Sequence, residues 1–302
     1  MSVIFDVINP AFLSPENMSN FFAYFPELGL MALPMTYLLI AGEFDLSVGS
    51  IFAFGPVLMF TLYNKAGVPI IVAFVITMVA CAFVGLVNGW FVTKIGVSSF
   101  LTTVGMSFII RGACLTITNG FPQSSWKNNS ALRPILTGSV TIGNFEVLAS
   151  LLWFALFFVV MLLVLNRTKL GNWIFATGGN VRAARALGID TDRLKIGLFM
   201  LSALMASLAG TIDAFRISAV YPVAGQGYEM EVVAMVVIGG TSLFGGSGTL
   251  VGTLIGVTLL RAVRNGIIVI GVPGMAYQIF VGAIILAMMA LHATMEKRTG
   301  KE

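Results

Sequence analysis

The stretch VPIIVAFVITMVACAFVGLVNGWFV, from Val68 to Val92, contains no charged side chain. A helix needs about 20 mostly apolar residues to cross the hydrocarbon core of a bilayer, so this stretch predicts a membrane-spanning helix. The rest of the chain has the same character. Of its 302 residues, 58% are hydrophobic and only 10% are charged, whereas soluble domains carry roughly 25% charged residues. The composition excludes an ordinary water-soluble protein and predicts an outer surface in contact with membrane lipid.

Further apolar stretches along the chain predict the remaining membrane crossings. Five are as long as a spanning helix, namely Phe21–Ala41, Phe100–Thr118, Val147–Leu165, Ile196–Ala219 and Met275–Leu291. Three shorter ones predict further crossings, at least one of them broken or re-entrant: Val48–Tyr63, Val232–Leu243 and Thr249–Leu260. The predicted fold is an all-α polytopic membrane protein with about nine transmembrane crossings, including broken or re-entrant helices, in a single transmembrane domain over residues 1–302.

The distribution of basic residues predicts the orientation in the membrane. Six basic side chains, more than in any other segment between the predicted helices, fall in segment 166–195, which should therefore face the cytoplasm. Counting crossings backward from there places segment 119–146 in the periplasm and the N-terminus outside. The same count puts Arg261 and Arg264 near the outer face, against the general tendency, and a re-entrant hairpin over 232–260 would change their side.

Several classes of function find no support in the sequence. The net charge of +4 reflects cytoplasmic loops, so no nucleic-acid partner is expected. Cys81 and Cys114 lie within apolar runs and are interpreted as small buried hydrophobic residues. His292 has no nearby ligand partner and no activated nucleophile is evident, so neither a metal, a cofactor nor an enzyme activity is expected. The Gly-rich stretch Gly239–Gly252 lacks the lysine of a phosphate-binding loop and predicts close packing and a broken helix instead.

Residues 180–188 predict a short helix on the cytoplasmic side. Asn180 is a favourable N-cap, Val181–Leu187 is rich in alanine, and Gly188 stands where a left-handed residue would end the helix. Two turns are marginal alone in water, so this helix should dock on another surface. Arg182 in its first turn opposes the helix dipole, which favours an acidic partner. The alternative is an ordinary connecting helix held by the chain itself.

A few polar and charged residues fall at the ends of the apolar runs or inside them. Glu43 and Asp45 lie at the end of one run, where charges are costly unless they face a cavity, a partner or the interface. Asp45 could gate a pathway or cap the helix that follows it. Asp213 and Arg216 are three residues apart on a predicted helix and are expected to form a structural pair.

Four stretches of the chain carry a family resemblance. They are GEFDLSVGS (42–50), GLVNGWFVTKIGVSSFLTTVGM (85–106), the segment GGN...A..LGI (178–189) and GYEMEVVAMVVIGGTSLFGGSGTLVGTLIG (227–256). In this order they resemble the permeases of ribose-type ATP-binding cassette (ABC) importers. The resemblance extends over most of the chain from Phe12 onward.

The resemblance implies a non-enzymatic permease subunit of a bacterial inner-membrane importer. Its expected partners are an ABC ATPase subunit, a periplasmic binding protein that delivers a sugar or sugar-like solute, and a second permease that is either a copy of this chain or a relative. The residues expected to contact the ATPase are Asn180, Arg182, Ala183, Arg185, Leu187 and Gly188. Candidates for translocation or gating are Asp45, Ser47, Asn88 and Thr102, although Asn88 and Thr102 could equally join neighbouring helices.

Two alternatives stay open at the level of sequence. An ion-coupled secondary transporter of a small polar solute would place ionisable residues near the bilayer midplane, and Glu43, Asp45 and Arg111 are the candidates for that role. The second alternative concerns the N-terminus, which shows no cleavable signal peptide. Family members usually begin with a full spanning helix before the segment that matches Pro10–Asn20. Either that helix is absent here or the start lies further upstream, and the two cases place the N-terminus on opposite sides.

Overall fold

The computed structural model describes residues 9–124, 131–142, 145–273, 276–283 and 286–287. After a 3₁₀ turn at Pro10–Leu13, the helices are α1 Pro15–Ile40, α2 Val48–Ala66, α3 Ile70–Trp90, α4 Ser99–Thr118, α5 Leu132–Thr137, α6 Ala149–Arg167, α7 Lys169–Gly179, α8 Val181–Ala186, α9 Thr191–Ile217, α10 Tyr228–Ile238 and α11 Leu250–Val269. Helix α3 continues as a π-turn over Phe91–Ile95. Residues 277–283 are also helical.

Four short strands add two small sheets to this helical bundle. Strands β1 (Gln123–Ser124) and β4 (Ala219–Val220) pair antiparallel, with Gln123 opposite Val220. Strands β2 (Ser139–Ile142) and β3 (Phe145–Leu148) form an antiparallel hairpin that leads into α6. Both sheets lie in the connections between helices, so the predicted helical fold class is consistent with the structure.

The core of the bundle is built around α1 and α9. Both helices are mostly buried, whereas α3, α4 and α6 expose most of their apolar side chains. Helix α9 packs against α1, α2 and α3. Close approach between α3 and α9 depends on Gly85 and Gly89, where a Cβ atom would overlap the α9 backbone at Phe199 and Ile196. The absence of side chains at these two positions lets the two helices approach closely.

Six described helices are long and apolar enough to cross a membrane: α1, α3 with its π-turn, α4, α6, α9 and α11. Five of them coincide with long stretches predicted from sequence. The sixth predicted stretch, Met275–Leu291, lies partly outside the described residues. The structure thus supports an all-α polytopic membrane protein, and the total of about nine crossings stays a prediction.

A further crossing was predicted at the short apolar piece Thr249–Leu260, and the helix found there supports it but is longer than that piece. Helix α11 runs on to Val269 and, with 20 residues, is long enough to span a membrane. The apolar run ends at Arg261 in the sequence, but the helix does not, because Arg261 is only 7% exposed and packs inside the bundle. Hydropathy alone places the end of this helix too early, because the charged Arg261 is buried among other helices and the helix continues past it.

Helix α10 belongs to a discontinuous element, as the short apolar piece Val232–Leu243 predicted. It has 11 residues and is preceded by the irregular stretch 221–227. The Arg111 guanidinium on α4 donates to the carbonyls of Pro222 and Ala224, each at 2.8 Å, and to that of Gly49 at 3.2 Å. Backbone that is not helical inside a membrane protein needs such partners. Arg111 therefore stabilises the unwound stretch, because its guanidinium donates hydrogen bonds to three backbone carbonyls.

Two ends of the bundle can be distinguished. One, here called the basic end, gathers segments 41–47, 91–98, 168–195 and 239–249, which contact one another. The other, here called the opposite end, holds the start of α1, the strand pair β1 and β4, and the last turns of α9 and α11. Segment 166–195, which was predicted to be cytoplasmic, lies at the basic end. The described part of segment 119–146, which was predicted to be periplasmic, lies at the opposite end.

Candidate functional site at the basic end

Helix α8 has the cap, length and stop that its sequence predicts. The Asn180 side chain accepts a hydrogen bond from the Ala183 amide at 3.0 Å. The helix ends at Ala186, and Gly188 adopts a left-handed conformation with φ of 84°. The amides of Gly188 and Ile189 donate to the carbonyls of Arg185 and Ala184, so the last helical carbonyls are satisfied.

The side chains of α8 divide into an inner and an outer set. Ala184 is buried against the bundle, whereas Arg182 and Ala183 are exposed and Leu187 is 81% exposed. The Arg185 side chain contacts the first turn of α9. It donates to the Thr191 hydroxyl at 2.8 Å and pairs with Asp192 at 2.5 Å. Of the residues predicted to meet an ATPase, Arg182, Ala183, Leu187 and Gly188 present a free surface, and Arg185 holds α8 to the first turn of α9.

Ion pairs connect α8 to the rest of the basic end. Asp192 also pairs with Lys94 of the π-turn, at 2.7 Å. Further along α9, Lys195 pairs with Glu43, at 2.5 Å, and both side chains are mostly buried. The predicted cost of Glu43 at the end of an apolar run is thus offset by a basic partner from α9, which the sequence did not identify.

The Gly-rich segment 239–249 packs on Gly178, three residues before the start of α8. The Gly246 amide donates to the Ile40 carbonyl at the end of α1, at 2.8 Å. A Cβ atom at Gly178 would overlap that carbonyl and the Gly246 amide. Gly245 lies against Gly178 and Gly42. The end of α7 is therefore in direct backbone contact with the end of α1 and with the Gly-rich segment between α10 and α11.

A buried polar cluster lies next to this contact. Asp45 is fully buried, and its Oδ1 atom accepts from the Ser47 amide at 3.0 Å and from the Ser47 hydroxyl at 2.5 Å. The Asn88 side chain donates to the Ser47 hydroxyl at 2.9 Å. Three of the four predicted gating residues therefore meet in one place. The amide that donates to Asp45 belongs to Ser47, which lies at the N-cap position just before α2, so capping of the helix itself by Asp45 stays a prediction. Burial raises the pKa of the Asp45 carboxyl.

Thr102, the fourth predicted gating residue, does not join this cluster. Its hydroxyl is buried without a hydrogen-bond partner in the described part of the chain. Its neighbour Thr103 instead accepts from the Leu46 amide at 2.9 Å, and Ser99 accepts from the Phe44 amide at 3.1 Å. The one-residue difference follows from the helical period, which turns Thr103 and Ser99, four apart, toward the same face of α4.

Some polar atoms in the cluster lack partners among the described residues. The Asp45 Oδ2 and Asn88 Oδ1 atoms are buried and make no hydrogen bond there. Because unsatisfied buried polar groups are costly, they mark places where a second arrangement, water or a passing solute could bond. The basic end thus combines an exposed helix, a Gly–Gly backbone contact and a polar cluster between α1 and α2.

Comparison with known proteins agrees with the resemblance in the motifs. Residues 17–289 match the family described as "Branched-chain amino acid transport system / permease component". The ribose import permease protein RbsC of Escherichia coli (strain K12) is 35% identical over 95% of this chain and 88% of its own length. RbsC of Bacillus subtilis (strain 168) is 33% identical over 96% and 88%.

A relative from an archaeon shows the same relationship. The xylose/arabinose import permease protein XylH of Sulfolobus acidocaldarius is 31% identical over 96% of this chain and 81% of its own length. No solved structure matches the chain significantly. The chain therefore belongs to the family of the branched-chain amino acid transport system permease component, and within it is similar to permeases that import ribose and xylose or arabinose.

Proposed function

We propose that this chain is the transmembrane permease subunit of an ABC importer in a bacterial inner membrane. It passes a sugar or sugar-like solute from the periplasm to the cytoplasm by alternating access. A separate ATPase subunit hydrolyses the ATP, and a periplasmic binding protein delivers the solute. The full-length similarity to import permeases for ribose and for xylose or arabinose supports the sugar class over the amino acid of the family description.

The observation that carries the coupling role is the outer face of α8. A six-residue helix cannot hold itself in water, and the bundle covers only its inner side, at Ala184. The outer side exposes an apolar residue, Leu187, and a basic residue, Arg182. An apolar anchor together with a charged residue is typical of a residue set that docks into a partner groove. We assign that groove to the ATPase.

A mechanical path leads from α8 to the cluster around Asp45. Movement of α8 is transmitted to Gly178 at the end of α7, and from there to the Ile40 carbonyl and the Gly-rich segment. The stretch that follows Ile40 carries Glu43 and Asp45. Displacing it would open the Lys195–Glu43 pair and the bonds around Ser47. In this proposal the basic end forms the cytoplasmic gate, and Asp45, Ser47 and Asn88 form its polar lining.

The structure gives less support to an ion-coupled secondary transporter. Such a protein needs ionisable groups that are free to bind and release an ion near the midplane. Arg111 is bonded to three backbone carbonyls and Glu43 is paired with Lys195. Of the three candidates, Asp45 has a fully buried carboxylate oxygen, Oδ2, without a hydrogen-bond partner among the described residues.

Co-purification from native membranes tests the proposed function. Tagged wild-type chain should bring an ATPase subunit with it in near-stoichiometric amount. The variant Arg182→Glu should lose most of it, because like charges at a docked surface weaken assembly. Arg133→Glu, an exposed change at the opposite end, is the matched control and should keep the ATPase. Absence of any ATPase with the wild type, or full retention with Arg182→Glu, would contradict the proposal.

A further inference from the structure

A polar cavity of about 460 Å³ lies at the opposite end of the bundle, far from the cluster at Asp45. Its walls come from the first half of α1, the last turns of α9 and α11, and the start of α10. The side chains that matter most to its chemistry are Tyr24, Glu27, Asp213, Tyr228, Arg261 and Asn265. The volume falls in the range of about 300–1,000 Å³ that is usual for small-molecule sites.

The charges around this cavity balance. Arg216 pairs with Glu27 and, at 2.9 Å, with Asp213. Arg264 faces Glu231 at 3.6 Å. With Arg261, the cavity and the ion pairs beside it hold three arginines and three carboxylates, of which Arg261, Arg264, Glu27 and Asp213 line the wall itself. A net-charged ligand would disturb this balance at a cost in a site of low dielectric constant, whereas an uncharged ligand would not.

Several donors on α11 make no hydrogen bond with the described residues, although Arg264 Nη1 is within ion-pair distance of Glu231. Arg261 is 7% exposed, and its guanidinium makes no hydrogen bond or ion pair with the described residues. The Asn265 amide nitrogen and the Arg264 Nη1 atom are likewise buried and without a hydrogen-bond partner in the described ranges. A buried arginine without acceptors is costly, so this wall is suited to a ligand rich in acceptor oxygens.

Aromatic faces complete the site. The Arg216 guanidinium carbon lies 3.9 Å from the centre of the Tyr24 ring, and that of Arg261 lies 6.0 Å from it. Tyr228 begins α10 and also lines the cavity. Flat rings beside arginine, amide and carboxylate groups offer both an apolar face and hydrogen bonds, which a ring with several hydroxyl groups can use at the same time.

We propose that this cavity binds a neutral polyhydroxy compound of monosaccharide size inside the permease, with Arg261 and Asn265 donating to its hydroxyl oxygens. The inference rests on the proposed function. It places the transported solute in a binding site at the opposite end of the bundle from the proposed gate. Tyr228 connects the ligand to α10, which continues into the Gly-rich segment at the basic end. The Arg216 network has a positioning role, since it holds α1 against α9 and keeps the walls of the cavity in place.

Direct binding to the purified full-length chain in lipid nanodiscs tests the site. D-Ribose and D-xylose are titrated by saturation-transfer NMR, with L-leucine and D-ribose 5-phosphate as competing probes. The free sugars should bind weakly and specifically. Arg261→Gln should weaken binding by about 10- to 100-fold, the usual effect of losing a hydrogen bond from a charged donor. Arg133→Gln, an exposed change at the same end, should leave it unchanged.

Asn265→Ala provides a second variant should Arg261→Gln fail to fold, and it should weaken sugar binding by about 5- to 10-fold. Tighter binding of L-leucine or D-ribose 5-phosphate, unchanged affinity in both variants, or no sugar binding at all would overturn the inference. The wild type's ATPase co-purification separates the two proposals. Normal co-purification without sugar binding refutes the cavity alone, and sugar binding without the ATPase refutes the importer and supports the cavity.

Discussion

The two ends of the bundle use the same kinds of charged side chain in opposite ways. At the basic end, Arg185 pairs with Asp192 while 57% of the arginine side chain stays exposed. At the opposite end, Arg216 pairs with Glu27, and the exposed fractions are 18% and 3%. Exposed pairs are weak and exchange with solvent, whereas a buried pair is costly to break. The pair that holds α8 is therefore weak, whereas the Arg216 pair is buried, as is the Lys195–Glu43 pair deeper in the basic end. In the proposed function we expect α8 to move and the Arg216 network to stay fixed.

The largest expected effect concerns which side of the membrane each end faces. Single cysteines replacing Arg182 and Arg133, in a chain with Cys81 and Cys114 changed to alanine, should differ completely in intact cells. A membrane-impermeant maleimide should label position 133 and should reach position 182 only after permeabilisation. A reversed pattern would invert the orientation, and with it the assignment of gate and outer cavity.

Removal of the buried arginine should be the most destabilising single change. Arg216→Ala leaves Glu27 buried without its partner and removes the bond to the Ala23 carbonyl. The expected loss in the free energy of unfolding is about 3–5 kcal/mol. Arg185→Ala removes the exposed pair at the basic end and should cost about 1 kcal/mol or less. The free energies of unfolding of the two variants are measured from denaturation curves in detergent. Equal losses would contradict the expected difference between the two ion pairs.

Two adjacent glycines on α7 test the backbone contact at the basic end. A Cβ atom at Gly178 would overlap the Ile40 carbonyl, whereas one at Gly179 would meet nothing within 4 Å. Gly178→Ala should lower the free energy of unfolding by about 1–3 kcal/mol and uncouple ATP hydrolysis from uptake. Gly179→Ala should behave like the wild type in both measurements. Similar behaviour of the two variants would remove this contact from the proposed path.

The smallest expected effect is at the end of α8. Gly188 has φ of 84° and open space around it, so only the backbone conformation is at issue. Gly188→Ala should cost about 1 kcal/mol and lower ATPase affinity modestly. Gly188→Asn should cost less, because asparagine tolerates the left-handed region. Thermal melting and co-purification measure the two effects, and an alanine variant as stable as glycine would show that the turn relaxes freely.

Sequence predicted the basic end better than the opposite end, for a physical reason. The cap at Asn180, the left-handed Gly188 and the close packing at Gly239–Gly252 follow from local chain chemistry, and each appears where predicted. The Asp213–Arg216 pair was also predicted from its helical spacing and is confirmed. Such features depend on residues a few positions apart.

Long-range contacts escaped prediction. Arg261 and Arg264 had no explanation in the sequence, because their environment comes from α1 and α10, which are distant in the chain. The Lys195–Glu43 pair joins residues 152 positions apart, and the carbonyl partners of Arg111 belong to an unwound stretch that hydropathy does not show. One signal was available: charged residues inside an apolar run are costly, so each implies a partner or a cavity.

Uptake into sealed vesicles tests the central claim most directly. The complex purified through the tagged chain is reconstituted with its binding protein, and entry of labelled D-ribose and D-xylose is followed with and without ATP on the cytoplasmic side. The proposed function predicts uptake of at least one sugar that requires ATP, survives collapse of ion gradients, and is lost together with sugar-stimulated ATP hydrolysis in the Arg182→Glu variant. Uptake driven by an ion gradient without ATP, or normal coupled uptake in that variant at normal complex yield, would contradict it.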